Sequence, residues 1–149
     1  MKLEFSGAPE ITASRDRVWE RLTNPDFVAA SAPGVESVEA VDPTHFKVIS
    51  GLGVGAIKVK FKLDVELFDI VEGERLKMRA RGKAPGSAVD VVSHLRLEDA
   101  GPGMTRLNWS ATSDISGTVA SVGARLLEST ARRLTEQFWT DFAQRVSAG

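Results

Sequence analysis

Apolar and charged side chains alternate strictly over the eleven residues from Ile57 to Leu67. Every odd position is apolar, and every even position from Lys58 to Glu66 is charged. Successive side chains of a β-strand point to opposite faces, so this pattern predicts a long antiparallel strand with one face on a core and one in water. The segment Arg75–Lys83 continues the alternation, which predicts that it pairs with the first strand in a hairpin.

Folding this hairpin at residues 71–74 predicts a register in which Asp64 lies opposite Arg81 and Glu66 lies opposite Arg79. Opposite charges on facing positions stabilise a sheet by a few tenths to about 1 kcal/mol per pair. These pairs account for much of the basic stripe along both strands. No aromatic residue interleaves it, so nucleic acid is not an expected partner. The lysines left over form a candidate docking patch for an acidic partner surface: Lys58, Lys60, Lys62 and Lys83.

Five further segments have the alternation and flanking turn residues of strands. They are Lys2–Ile11, Val35–Val41, His45–Ser50, Ser87–Glu98 and Thr105–Ile115. Pro9 cannot donate a ladder hydrogen bond, which predicts that the first strand ends at a sheet edge. The glycine-rich segment Gly51–Gly55 lacks the lysine of a phosphate-binding loop and does not begin a helix, so we interpret it as a hairpin connection.

Two short helices are predicted after the first strand. Ser14 is a favoured N-cap for a helix over Arg15–Leu22. Asn24 followed by Pro25 is the favoured beginning of a second helix, over residues 25–31.

A long helix is predicted at the end of the chain. From Thr118 to Ala148 apolar residues recur at spacings of three and four without a proline, which predicts one amphipathic helix of about eight turns. Glu128 with Arg132, and Asp141 with Arg145, form predicted i,i+4 ion pairs on its wet side. Strands grouped before one terminal helix predict an α+β fold, with an antiparallel sheet packed on the helix in a single domain over residues 1–149.

Composition and charge exclude several classes of protein. The 149 residues are 42% hydrophobic and 26% charged, with a net charge of −1, so no overall field attracts nucleic acid or an anionic membrane. The absence of cysteine excludes disulfides, cysteine-based zinc sites and a thiol nucleophile. The N-terminal segment lacks the apolar region of a signal peptide, and no apolar window is long enough to span a bilayer. A cytoplasmic location is therefore expected.

The chain offers little catalytic chemistry. His94 shares the parity of Arg96 rather than that of Leu95, and His45 follows a turn, so both are expected at the surface. Neither histidine has the spacing of a metal site, and no nucleophile elbow or tyrosine is present. No catalytic residue, metal or cofactor is predicted.

The order of these elements resembles the START/Bet v 1-like helix-grip fold, in which a curved antiparallel sheet wraps a long C-terminal helix. More narrowly, the chain resembles the CoxG family of carbon monoxide dehydrogenase subunits, within the SRPBCC superfamily. The matching segments are "VWERLTNPDFVAASAPGVESV", "RGKAPGSA", "TRLNWSATSDISG" and "ASVGARLL". The resemblance extends from Lys2 to about Val146. The C-terminal hydrophobic anchor of some members has no counterpart here, so no transmembrane segment is expected and peripheral membrane contact stays open.

The resemblance implies a non-catalytic accessory protein rather than an enzyme. Helix-grip proteins enclose an apolar cavity between sheet and helix, and CoxG-like proteins are associated with molybdenum hydroxylases of the carbon monoxide dehydrogenase type. The implied partners are therefore a hydrophobic small molecule, lipid-like or quinone-like, and such a hydroxylase. Two alternatives remain: a cavity enzyme of the polyketide cyclase or dehydratase type, and a chaperone-like module with a vestigial cavity.

Apolar and hydroxyl-bearing residues in inward register are the candidate ligand contacts. Small inward residues leave volume, and we expect this at Gly82, Ser93, Ala111 and Ser113. The apolar segment Asn24–Ser37 is predicted to cover the mouth of the cavity through Phe27 and Pro33. The complete candidate set is Phe27, Pro33, Phe61, Leu63, Met78, Ser93, Trp109, Ser113, Leu127 and Phe138.

Overall fold

One sheet of eight antiparallel strands forms most of the protein in the computed structural model, which describes residues 1–149. Its strands are β1 (Lys2–Gly7), β2 (Glu10–Ile11), β3 (Val35–Asp42), β4 (His45–Val54), β5 (Ile57–Val71), β6 (Arg75–Ala84), β7 (Ser87–Asp99) and β8 (Thr105–Gly117). The spatial order is β1-β8-β7-β6-β5-β4-β3, and β2 also pairs with β8. The six strands predicted after the short helices are all present.

The predicted register of the β5–β6 hairpin is confirmed, with Asp64 opposite Arg81 and Glu66 opposite Arg79. The carboxylate in contact with these arginines is nevertheless Asp90 of β7, 3.0 Å from Arg79 and 3.7 Å from Arg81. One row of charged residues crosses seven strands of this outer face in register: Glu39, Lys47, Asp64, Arg81, Asp90, Asp114 and Lys2. The outer face is thus held largely by alternating charge.

The two edges of the sheet are both irregular. The chain leaves the sheet at Ala8 and Pro9, which divides the predicted first strand into β1 and β2 because proline has no N–H for the ladder. The pairing of β3 with β4 shifts register twice, between Val35 and Ser37 and between Ala40 and Asp42. Neither edge is a long regular strand.

The glycine-rich segment Gly51–Gly55 is mostly strand, so its interpretation as a hairpin connection was wrong. Gly51 to Val54 belong to β4, and only Gly55 and Ala56 form the turn. Gly51 donates a backbone hydrogen bond of 2.8 Å to the carbonyl of Gly34, which fastens the end of β4 to the turn before β3. Glycine permits this close approach of two backbones.

The two short helices begin at the predicted caps. In α1 (Arg15–Leu22) the Ser14 side chain accepts a hydrogen bond from the backbone N–H of Arg17. In α2 (Pro25–Ser31) the Asn24 side chain accepts one from Phe27.

The prediction of one continuous terminal helix from Thr118 was wrong. A 3₁₀ turn occupies Thr118–Val122, and the helix α3 spans Ala124–Ala148. Gly123 separates them with φ of 101°, in the left-handed region that an α-helix excludes. The 3₁₀ turn is held to the sheet because Ser87 Oγ accepts a hydrogen bond from the Val119 N–H. None of the helices is both long and apolar enough to cross a membrane.

Arg145 joins α3 to α2. Its guanidinium donates to the Phe27 carbonyl at 2.8 Å and to Ser31 Oγ at 2.6 Å. It also lies 4.0 Å from the centre of the Phe27 ring. The predicted pair of Arg145 with Asp141 was therefore wrong, because the arginine has buried partners on α2. The predicted pair of Glu128 with Arg132 is present at 3.0 Å.

Two separate apolar clusters lie between the sheet and α3. The first, cluster A, joins α1, β2, the neighbouring ends of β6–β8 and the C-terminal half of α3: Ile11, Ala13, Val18, Trp19, Leu22, Leu76, Leu95, Leu97, Leu107, Phe142 and Val146. The second, cluster B, joins β1, β4, β5 and β8 to the 3₁₀ turn and the beginning of α3: Leu3, Val54, Phe61, Ile115, Val119 and Leu127. The core is therefore divided along the length of the helix.

Replacing Gly34 with alanine should destabilise the protein by about 2 kcal/mol or more. Gly34 has φ of 82°, and a Cβ there would lie 2.1 Å from the Gly51 carbonyl oxygen, which belongs to rigid backbone. Urea denaturation measures the change. Gly53→Ala is the matched control, because a Cβ at Gly53 would have no atom within 4 Å. Equal denaturation midpoints for the two variants would show that this turn does not need glycine.

Candidate functional site

The inner face of the sheet is incompletely covered between clusters A and B. Six inward residues there belong to neither cluster and are only half-buried, although α3 passes over them. We call this region the central gap and define it by Val65, Val91, Ser93, Ala111, Ser113 and Leu134. Solvent reaches apolar side chains here that a filled core would enclose.

Small side chains of neighbouring strands meet in the central gap. One row across the sheet runs from Met78 through Ser93 to Ala111, and the next runs through Val91 to Ser113. Helix α3 faces these rows with Leu134, while its buried Thr130 lies one turn nearer cluster B. The gap therefore results from small residues in two adjacent rows beneath one helix.

Hydroxyl groups are the polar groups of the central gap. The buried hydroxyls outside it have protein partners, since Thr105 donates to the Ala13 carbonyl and Ser87 accepts from Val119. The side-chain hydrogen bonds of the structure do not include Ser93 or Ser113. A hydroxyl can donate one hydrogen bond and accept others, so these two serines can bind a carbonyl or hydroxyl group of a guest molecule.

The ten predicted ligand residues divide among four places. Cluster B holds Phe61, Leu63 and Leu127, directly or packed against it. Cluster A has Phe27, Met78, Trp109 and Phe138 packed against it. Ser93 and Ser113 lie in the central gap. Pro33 lies in a shallow groove between the turn after α2 and the outer side of α3, away from the other nine.

Gly82 does not leave free volume, contrary to the sequence prediction. A Cβ at this position would lie 2.5 Å from Leu63 Cδ2 and 2.8 Å from Val89 Cγ1. The neighbouring side chains already occupy the space that the missing side chain provides.

A chain of five aromatic rings forms the wall of the gap on the side of cluster A. Trp109 stacks on Trp139 at 5.6 Å between ring centres, and Trp139 meets Phe142 edge to face at 5.7 Å. Phe138 packs on both helix neighbours, and Phe142 meets Phe27 of α2 at 5.8 Å. Sequence reasoning did not select Trp139, although its spacing of three from Phe142 was the available signal. Each pair of this kind adds about 0.5–1.5 kcal/mol beyond burial, so the wall is rigid.

Phe27 is held firmly in that wall. Its ring lies between the guanidinium groups of Arg21, at 5.0 Å, and Arg145, at 4.0 Å. Such contacts stabilise by about 0.5–2 kcal/mol each. Phe27 is therefore a fixed side of the site, and the turn at Pro33 is the more movable part of the segment predicted to cover the mouth.

The groups with shifted pKa values lie outside the central gap. The side-chain hydrogen bond between Asp42 and His45, 2.8 Å long, raises the pKa of His45 and lowers that of Asp42 in the exposed β3–β4 turn. The hydrogen bond from Arg79 lowers the pKa of Asp90 on the outer face. His45 and His94 are both exposed, as predicted. The gap itself offers hydroxyl groups and apolar surface rather than an acid and a base.

Solved structures with similar folds cover nearly the whole chain. A conserved protein from Geobacillus kaustophilus has a TM-score of 0.89 and 23% sequence identity, covering 98% of this chain and 96% of its own. A START superfamily protein from Mycobacterium smegmatis has a TM-score of 0.73 at 11% identity, covering 97% of each chain. The Zhui aromatase/cyclase from a Streptomyces species has a TM-score of 0.72 at 14% identity, covering 98% of this chain and 94% of its own. These similarities establish the START/Bet v 1-like helix-grip fold.

The sequence itself matches one protein family. No functionally curated protein matches the chain. The profile of the carbon monoxide dehydrogenase subunit CoxG matches residues 7–147, which span β2, both short helices, six further strands and nearly all of α3. The chain therefore belongs to the CoxG family of carbon monoxide dehydrogenase subunits.

Proposed function

We propose that this protein is a non-catalytic accessory protein that holds a hydrophobic, lipid-like or quinone-like molecule in the central gap. In this role it assists a molybdenum hydroxylase of the carbon monoxide dehydrogenase type. The observation that carries the ligand proposal is the half-buried apolar surface of the gap, between two well-packed clusters. The name of the family supports the choice of enzyme.

The polarity of the gap suits a quinone or a lipid headgroup carbonyl. Val91 and Leu134 offer apolar surface to a ring or chain, and the hydroxyls of Ser93 and Ser113 can donate to a carbonyl oxygen. The aromatic wall at Trp109 offers a flat face for ring stacking.

A cavity enzyme is the second candidate, because the fold is shared with an aromatase/cyclase. Proton transfer in such a cavity needs an acid or base within hydrogen-bond reach of the substrate. The titratable groups with shifted pKa values, such as His45 and Asp90, lie on the outer face and its turns instead. This distribution favours binding over catalysis.

Filling the gap should abolish ligand binding without unfolding the protein. In Ser113→Phe a ring would occupy the space beneath α3. The unmodified protein should gain melting temperature with a short-chain benzoquinone, a naphthoquinone or a fatty acid, since a ligand at 100 times its Kd stabilises by about 2.7 kcal/mol. Ser113→Phe should show no such gain. Thr112→Phe, which places the same ring on the opposite face of β8, is the matched control.

Two results would reject the ligand proposal. One is the absence of any melting shift with all three probes, together with an organic extract of the purified protein that contains no lipid or quinone by mass spectrometry. The other is an equal loss of the shift in Thr112→Phe.

We also propose that the turn at Pro33 controls access to the gap. Pro33→Gln should slow quinone uptake several-fold, measured by quenching of tryptophan fluorescence after rapid mixing. Pro43→Gln, in the exposed β3–β4 turn, is the control and should leave the rate unchanged. Equal uptake rates for Pro33→Gln and the unmodified protein would show that access lies elsewhere.

Association with the enzyme separates ligand delivery from a chaperone-like role. The protein should co-purify with a molybdenum hydroxylase of the carbon monoxide dehydrogenase type, and electron transfer from that enzyme to a quinone should be faster in its presence. Ser113→Phe should retain the association and lose the acceleration, because its surface is unchanged while its gap is filled. If this variant assists the enzyme fully, the role is chaperone-like and the ligand is not required.

A further inference from the structure

A second concave surface lies on the outer face of the sheet, opposite the central gap. It is an open depression of about 1060 Å³ beside the tip of the β5–β6 hairpin. We call it the outer trough. The polar residues that line it include Asp69, Arg75, Lys77, His94, Arg96 and Asn108.

Basic residues face each other in register across the outer trough. Arg75 of β6 lies directly opposite Arg96 of β7, and Lys77 lies opposite His94. Like charges on facing positions destabilise a sheet. Most of the same face instead opposes unlike charges, as at Asp64 and Arg81. Two consecutive basic pairs in a depression are therefore a local exception that costs folding stability.

Carboxylates of the protein neutralise this charge only in part. Asp69 pairs with Lys77 at 3.0 Å. Glu98 is 3.9 Å from Arg96, but it lies closer to Arg106, at 2.9 Å. Arg75 has no carboxylate within ion-pair distance among the salt bridges of the structure. The trough thus retains an excess of about two positive charges when His94 is neutral.

The hairpin tip is shaped toward the trough by a bulge. Pairing of β5 with β6 shifts register between Phe68 and Val71, and Asp69 adopts φ of 49°, which is uncommon for a residue other than glycine. The bulge leaves Ile70 and Val71 exposed, by 42% and 37%, on the rim. Bulges of this kind commonly redirect side chains beside binding sites.

We propose that the outer trough binds a phosphate dianion, either a phosphate monoester or a pyrophosphate group, whose apolar remainder lies against Ile70 and Val71. The guanidinium groups of Arg75 and Arg96 present planar pairs of donors, which match phosphate oxygens. A phosphomonoester carries about −1.5 to −2 charges near pH 7, which balances the excess of the trough. Asn108 and Ser110 also line the trough and can supply neutral donors.

Calorimetric titration of the purified protein with pyrophosphate and with a phenyl phosphate monoester tests the site. Both should bind saturably, and Arg75→Gln/Arg96→Gln should weaken binding about tenfold or more. Lys62→Gln/Lys83→Gln is the matched control, because these two lysines also face each other in register on the outer face and carry the same charge. It should change the affinity by less than about twofold.

Thermal unfolding shows whether the arginine variant is folded. Without phosphate it should melt at the same temperature as the unmodified protein or higher, because a like-charge pair has been removed. With saturating pyrophosphate only the unmodified protein and the lysine control should gain melting temperature. A lower melting temperature of the arginine variant in both buffers would contradict the proposal, since the arginines would then be structural.

Sedimentation with vesicles distinguishes the two sources of such a group. Binding to phosphatidic acid vesicles but not to phosphatidylcholine vesicles, lost in the arginine variant, would identify a lipid headgroup. Binding to the free phosphates alone would identify a soluble phosphorylated molecule. The proposal fails if neither free phosphate binds saturably, or if the lysine control loses affinity equally. The site lies on the opposite face from the central gap, so this failure leaves the proposed ligand function unaffected.

Discussion

A single helix has to cover the apolar face of an eight-stranded sheet. An α-helix of 25 residues is about 37 Å long but only about 10–12 Å wide with its side chains. Eight strands at about 4.8 Å spacing would span about 34 Å if the sheet were flat. The sheet must therefore curve around α3, and additional elements must fill its ends. The short helices do this for cluster A and the 3₁₀ turn does it for cluster B, which leaves the helix alone above the central gap.

The two faces of the sheet are stabilised by different interactions, and each proposed site is an exception to the rule of its own face. Burial holds the inner face, and there the exception is apolar surface that remains half-exposed around Val91 and Leu134. Charge alternation holds the outer face, and there the exception is the opposition of Arg75 to Arg96. In both places the chain gives up some stability that a purely structural protein would retain, which is common at functional sites.

Local pattern was sufficient to predict most of the fold from the sequence. Alternation identified the long strands and the register of Asp64 with Arg81, and cap chemistry located both short helices. The break at Gly123 was missed because apolar spacing continues across the 3₁₀ turn into α3. The site was predicted less completely. Periodicity shows which side chains point inward, but whether Gly82 leaves space depends on Leu63 and Val89, which only the folded structure brings together.

The irregular edges of this open sheet affect how the protein can meet other proteins. A regular edge strand offers a row of unpaired N–H and C=O groups that another chain can extend. Here one edge is interrupted at Pro9, and the other carries two register shifts along β3 together with the exposed acidic residues Glu36 and Glu39. Both features are known to oppose edge-to-edge aggregation. We therefore expect a protein partner to recognise side chains on the faces and loops, where specificity can be adjusted residue by residue, rather than to add a strand through generic backbone pairing.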